Sequence, residues 1–102
     1  MHLVQIFLPI HDNAQEPFPR EELRRVRQEL TEQFGGLTVY TRAPAEGLWK
    51  LNENHTSRDD IVIFEVMALE LDVTWWREYR HELEKRFRQD VIMVRAQQTQ
   101  LL

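Results

Sequence analysis

The sequence predicts an α+β fold: four antiparallel strands in one sheet, with two helices on one face. Three observations carry that expectation. Apolar residues recur at spacings of three and four at Leu23, Val26, Leu30 and Phe34, and again at Trp76, Tyr79, Leu83 and Phe87. Each set falls on one side of a helix. Short apolar runs rich in β-branched residues stand before, between and after those helices, at residues 2–9, 37–42, 61–67 and 91–94. The chain has 102 residues and no cysteine, which is enough for one core and too little for two. The element order is therefore βαββαβ, and each helix falls where a crossover is needed. That is the order of a ferredoxin-like sandwich, with its central hairpin extended by an insertion at 43–60. One domain spans 1–102, and 97–102 read as a frayed tail.

The first strand, 2–9, is apolar except for Gln5 and stops at Pro9. Residues 11–19, with two prolines and two Asx-type turn formers, read as a loop. Pro19 suits the first turn of a helix, where its missing N–H costs nothing. Glu21 and Glu22 then favour the positive end of the helix dipole. Gly35-Gly36 ends that helix, because glycine accepts a left-handed cap. Residues 37–42 alternate as a strand. Residues 43–46 read as a turn containing Pro44, 48–51 as a short extended return, and 52–60 as a polar loop. The run at 61–67, IVIFEVM, is the strongest strand signal in the chain. Asp72 or Thr74 caps the second helix, and 91–94 read as the last strand.

The net charge is −4. The excess acid collects in residues 43–72, which carry 2 positive and 7 negative side chains. Phosphate recognition needs a basic face, so the expectation is no nucleic-acid partner. The longest nearly apolar run, 61–69, is broken by Glu65 and falls well short of the roughly 20 residues that cross a bilayer. Met1 leads into a short mixed run with no basic flank or small-residue cleavage site. The expectations are no membrane partner and a cytoplasmic location. Without cysteine there is no disulfide framework, thiolate nucleophile or thiolate metal site.

The strands carry the more specific message. A sheet covered by helices on one face and bare on the other alternates apolar and polar residues. These strands are apolar on both faces: Leu3 and Phe7 oppose Val4, Ile6 and Leu8, while Ile61 and Ile63 oppose Val62, Phe64 and Val66. The helix-free face therefore needs a cover: another subunit, a bound apolar ligand, or the 43–60 insertion folded back, of which a second copy of the chain, as a homodimer through that face, is the favoured one. Polar residues interrupt the same face. Gln5, Tyr40 and Glu65, with Trp49 and Arg95 near them, line one concavity if the register brings them together. A carboxylate in so apolar a strand must be paired, hydrogen-bonded or protonated. The functional reading makes Glu65 a general base or a ligand anchor. The plainer reading pairs it with Arg42 or Arg95, or places it at a strand end. Gln5, Tyr40, Trp49 and Glu65 are thus the candidate ligand-binding residues, and Glu65, Tyr40 and His55 the candidate catalytic ones.

His2, His11, His55 and His81 show no zinc-ligand spacing, so no metal is expected. There is no P-loop, dinucleotide fingerprint or nucleophile elbow, so no cofactor is expected either. Gly35-Gly36 follows a helix and precedes a strand, the wrong order for a phosphate cradle.

The run Phe34-Gly35-Gly36-Leu37-Thr38, followed by Gly47-Leu48-Trp49, resembles an F-G-G-aliphatic-T … G-x-W signature of small bacterial proteins without assigned chemistry. The wider topology resembles the dimeric α+β barrel group, which includes cofactor-free monooxygenases, chlorite-dismutase-like proteins and small isomerases. That resemblance implies paired sheets enclosing a pocket. Two functions follow from these readings. The first is a homo-oligomeric protein binding a small organic ligand on the helix-free face. The alternative is a cofactor-independent monooxygenase- or isomerase-like enzyme with its pocket near Glu65 and Tyr40.

Overall fold

The computed structural model describes residues 1–12, 14, 16–52 and 55–102, with the backbone alone over 41–52 and 55–60. Its elements run β1 (His2–Pro9), α1 (Arg20–Phe34), β2 (Thr38–Asn52), β3 (His55–Ala68), α2 (Val73–Arg86) and β4 (Val94–Gln98). The strands form one sheet in the order β2-β3-β1-β4, and every neighbouring pair is antiparallel. This is the ferredoxin-like α+β sandwich.

Local chemistry sets the helix ends. Pro19, at φ −56°, stands immediately before α1, and Glu21 and Glu22 occupy its first turn. Gly35 closes α1 at φ 77°, a left-handed backbone that glycine adopts without a Cβ penalty. Its N–H donates to the Thr31 carbonyl at 2.8 Å. The Asp72 carboxylate caps α2 by accepting the Trp75 N–H at 3.0 Å.

The core lies between the helices and one face of the sheet. Val4, Ile6 and Leu8 of β1, with Val62, Phe64 and Val66 of β3, are buried against Val26 and Leu30 of α1 and Trp76, Tyr79 and Leu83 of α2. Leu23 and Phe34 are half-buried beside it. At one end Phe34 stacks on Trp76 with centroids 5.1 Å apart and meets Trp75 edge-on at 5.3 Å. Both contacts are favourable aromatic geometries.

Three boundaries differ from the sequence reading. Residues 48–51 do not return against 37–42. Both belong to one strand, β2, and both pair with β3. The register shifts between Tyr40 and Ala45, so that 41–44 stand opposite Val62 alone. Pro44, which cannot donate to a ladder, falls in that bulge, where a strand tolerates it. Residues 55–60, expected as loop, pair with 46–52. Ladder hydrogen bonds ask for backbone and not for apolar side chains, so pairing overrides composition there. β4 begins at Val94 instead of Val91. Ile92, only 2% exposed, is inserted into the core ahead of the ladder, and its N–H is taken by the Glu84 carboxylate at 2.9 Å. The ladder also takes in Gln97 and Gln98, and the Thr99 N–H donates to the Met1 carbonyl at 3.0 Å.

A row of polar side chains across the helix-free face

Strand alternation sends every second residue to the face without helices. From β1 these are Leu3, Gln5 and Phe7, from β3 Ile61, Ile63, Glu65 and Met67, and from β4 Arg95 and Gln97, with Met93 immediately before it. The register then decides which of them meet. Gln5 stands directly opposite Glu65 on one side and Arg95 on the other. Thr38 stands opposite Glu65, and Tyr40 lies one strand position further along that face, opposite Ile63. Its long side chain spans the diagonal to Glu65.

The result is a hydrogen-bonded row across all four strands. Arg95 Nε donates to Gln5 Oε1 at 2.8 Å. Gln5 Nε2 donates to Glu65 Oε1 at 2.5 Å. Tyr40 Oη donates to Glu65 Oε2 at 3.1 Å. The Arg95 guanidinium also lies over the Phe7 ring, 4.9 Å from its centroid. Glu65 and Gln5 are half-buried, while Tyr40 and Arg95 are exposed. Glu65 raises the pKa of the Tyr40 phenol above its ordinary value, first through the hydrogen bond and then through its negative charge.

Apolar side chains flank the row on both sides. Leu3 pairs with Met67 on one side and Phe7 with Ile63 on the other. Met67 and Met93 are 39% and 46% exposed, so apolar surface remains open on this face. Beside Glu65, where α1 turns into β2, the surface sinks into a cleft of about 480 Å³. Leu3, Thr38, Glu65 and Met67 form its sheet wall, and Phe34, Gly35, Gly36 and Leu37 form the opposite rim. A Cβ on either glycine would meet nothing within 4 Å, so Gly35 is required by its backbone angle.

Gln5, Tyr40 and Glu65, all named from the sequence, thus come together, and Arg95 joins them through Gln5 without touching the carboxylate. The Trp49 and His55 side chains lie outside the described residues, as does that of Arg42. Their strand positions are known: Trp49 pairs with Ser57, and His55 with Asn52 at the far end of the hairpin, ten residues along β3 from Glu65. Thr38, Met67 and Phe34 are not among the site residues expected from the sequence, although Phe34 lies on the apolar stripe of the first helix and Phe34 to Thr38 carry the F-G-G-aliphatic-T run. Thr38 was reachable only through the register, while Met67 follows Glu65 by two residues and shares its face by alternation. No three His, Asp or Glu side chains cluster among the described residues in a way that would hold a metal ion. No described helix is long and apolar enough to cross a membrane.

Fold and face together define a ferredoxin-like α+β protein with a polar row set in apolar surroundings on its bare sheet. No family model matches the chain, and no curated protein matches it. Two solved structures do. One is a phage SAM lyase in complex with S-methyl-5'-thioadenosine, at a TM-score of 0.65 and 14% identity, covering 95% of this chain and 80% of that one. The other is a phage SAM lyase in the apo state, at a TM-score of 0.62 and 13% identity, covering 94% and 78%. At this identity the likeness is one of fold.

Proposed function

We propose that this chain is a homo-oligomeric protein that binds a small organic ligand on the helix-free face, with Glu65 as the anchoring carboxylate. The single observation that carries the reading is the Arg95–Gln5–Glu65–Tyr40 row between two apolar rows. A few convergent polar groups in an apolar surround is the composition of a ligand site. The open Met67 and Met93 side chains support a protein cover over the same face, here a second copy of the chain. Paired sheets of the dimeric α+β barrel kind would enclose the row.

The ligand class follows from the carboxylate. Glu65 suits a cationic or hydrogen-bond-donating end, and Leu3, Met67 and Phe7 suit an apolar or aromatic body. A sulfonium nucleoside meets both demands, and because the structural neighbours are phage SAM lyases that class is the first to try, with the neutral thioether S-methyl-5'-thioadenosine supplying the same body without the charge.

The Tyr40–Glu65 contact favours a second reading, a cofactor-independent enzyme of monooxygenase or isomerase type. A phenol donating to a carboxylate is a pair able to pass a proton.

Calorimetric titration with S-adenosylmethionine and with S-methyl-5'-thioadenosine tests the binding reading, and Glu65→Gln is expected to weaken the sulfonium ligand at least tenfold. No heat with either compound, or equal affinity in the variant, overturns this ligand class. Light scattering at micromolar concentration is expected to give a multiple of the 12.4 kDa chain mass. A monomer there overturns the oligomer.

A further inference from the structure

The opposite side of the sheet holds a second cleft, of about 180 Å³, between α2 and the inner face of β4. Val4, Val94 and Ala96 make its sheet wall, and Trp76, Arg77 and Arg80 line it from α2. Arg77 is exposed and Arg80 half-exposed, and Ala96 is open to solvent, so the cleft can be entered. Of the row on the helix-free face, Arg95 alone also borders this cleft.

Two features set these arginines apart from an ordinary solvated helix face. The Arg80 Nε is buried and has no hydrogen-bond partner among the described residues. Arg80 is ion-paired with Glu84 Oε2 at 3.7 Å, beyond hydrogen-bond range, and that oxygen already accepts the Ile92 N–H at 2.9 Å. A buried N–H without an acceptor is uncommon and marks a place where a ligand or water completes the structure. Arg77 forms no ion pair among the described residues. Two guanidiniums, Arg77 without an ion pair and Arg80 only loosely paired with Glu84, thus border an apolar floor in a chain whose net charge is −4. Local charge here runs against the whole, since residues 73–102 carry 6 positive and 4 negative side chains.

We infer that the α2–β4 cleft is a separate binding site for a small organic carboxylate, held by Arg77 and Arg80 at its anionic end and by Trp76, Val94 and Ala96 along its apolar body. The planar guanidinium fork matches a carboxylate through two parallel hydrogen bonds. The cleft is smaller than a drug-sized pocket, so the ligand is a single ring or a short aliphatic chain.

Benzoate, benzamide and inorganic phosphate are the probes, followed by amide and indole NMR shifts in the intact protein. Benzoate is expected to move the Trp76 indole and the Val94 and Ala96 amides. Arg80→Gln is expected to weaken it about tenfold, and Arg77→Gln with Arg80→Gln to weaken it further. Ala96→Leu, which fills the cleft from the sheet without touching either arginine, is expected to block it. Glu65→Gln is expected to leave benzoate affinity unchanged, which separates this site from the helix-free face. The inference is overturned if benzoate leaves those signals in place, if its affinity survives Arg80→Gln and Ala96→Leu, or if benzamide or phosphate binds as tightly as benzoate.

Discussion

One polar network of this molecule lies between the helices and another on the bare sheet, and they are built to different rules. Between the helices, Arg86 sends Nη1 and Nη2 to the two oxygens of Glu29 at 2.5 and 2.7 Å. Tyr79 Oη donates to the same carboxylate at 3.2 Å, and Arg86 Nε reaches Glu82 at 3.2 Å. Charges of opposite sign meet directly, in bidentate geometry, with the Arg86 side chain only 9% exposed. Hydrogen bonding to Arg86, aided by its positive charge, holds Glu29 below the usual carboxylate range against the opposing effect of burial. Burial and the Glu29 charge push the Tyr79 phenol up. On the sheet, the cation and the carboxylate are kept apart by neutral Gln5, and the row ends in exposed Tyr40 and Arg95. The helix network is closed on itself and fixes α1 to α2. The sheet network leaves donors and acceptors at its ends and edges, which is what a recognition surface requires.

Breaking each network is expected to separate these roles. Arg86→Met should lower stability by about 2 kcal/mol, measured by urea denaturation, because it strands a partly buried carboxylate. The figure sits below that for a fully buried pair because Glu29 is about a third exposed and partly screened. Glu65→Gln should move stability by no more than about 0.5 kcal/mol, as for other surface polar changes. A loss as large as that of Arg86→Met would make the sheet row a structural staple and remove the contrast. The acid limb of stability offers a smaller effect with a definite sign. Glu29 has its folded pKa depressed below 4.5, so its contribution is present above that value and is lost as pH falls through the folded pKa. Glu29→Gln should therefore be less stable than the parent near neutral pH and should lose less stability on acidification. Parallel acid curves for the two proteins would assign the pair no role in folding.

How far these networks could be read in advance depended on whether their chemistry is local. Helix spacing, the Gly35 cap and the Asp72 cap involve residues a few positions apart, and all lie where the pattern places them. Alternation put Glu65 on the bare face, because side-chain direction in a strand has a period of two. Its contact with Gln5, sixty positions away, required the register, which no single strand encodes. The Glu29–Arg86 pair is hidden for the same reason: fifty-seven residues separate the partners, and within its own helix, α1 or α2, each reads as one more surface charge. The long hairpin was hidden differently. Residues 55–60 are polar and pair through backbone, so composition alone carries no strand signal there. At β4 the apolar run marked the residue that plugs the core, Ile92, and the ladder lay just beyond it.

The smallest expected effect tests the sheet row at its most exposed link. The chain has two tyrosines, so in a Tyr79→Phe background the phenolate absorbance reports Tyr40 alone. Glu65 favours the neutral phenol, because the carboxylate accepts its proton and repels the phenolate that would replace it. Tyr40 should therefore ionise above the ordinary value of 10.0, and Glu65→Gln should bring its titration back down toward that value. High salt should do part of the same, since charge on so exposed a group is screened, while the hydrogen-bond contribution should persist. A Tyr40 that titrates ordinarily in the parent, and does not respond to Glu65→Gln, would detach β2 from the row. The carboxylate would then be held by Gln5 alone, and the case for a Tyr40–Glu65 proton pair would be lost, while Glu65 as a ligand anchor would still stand on its contact with Gln5.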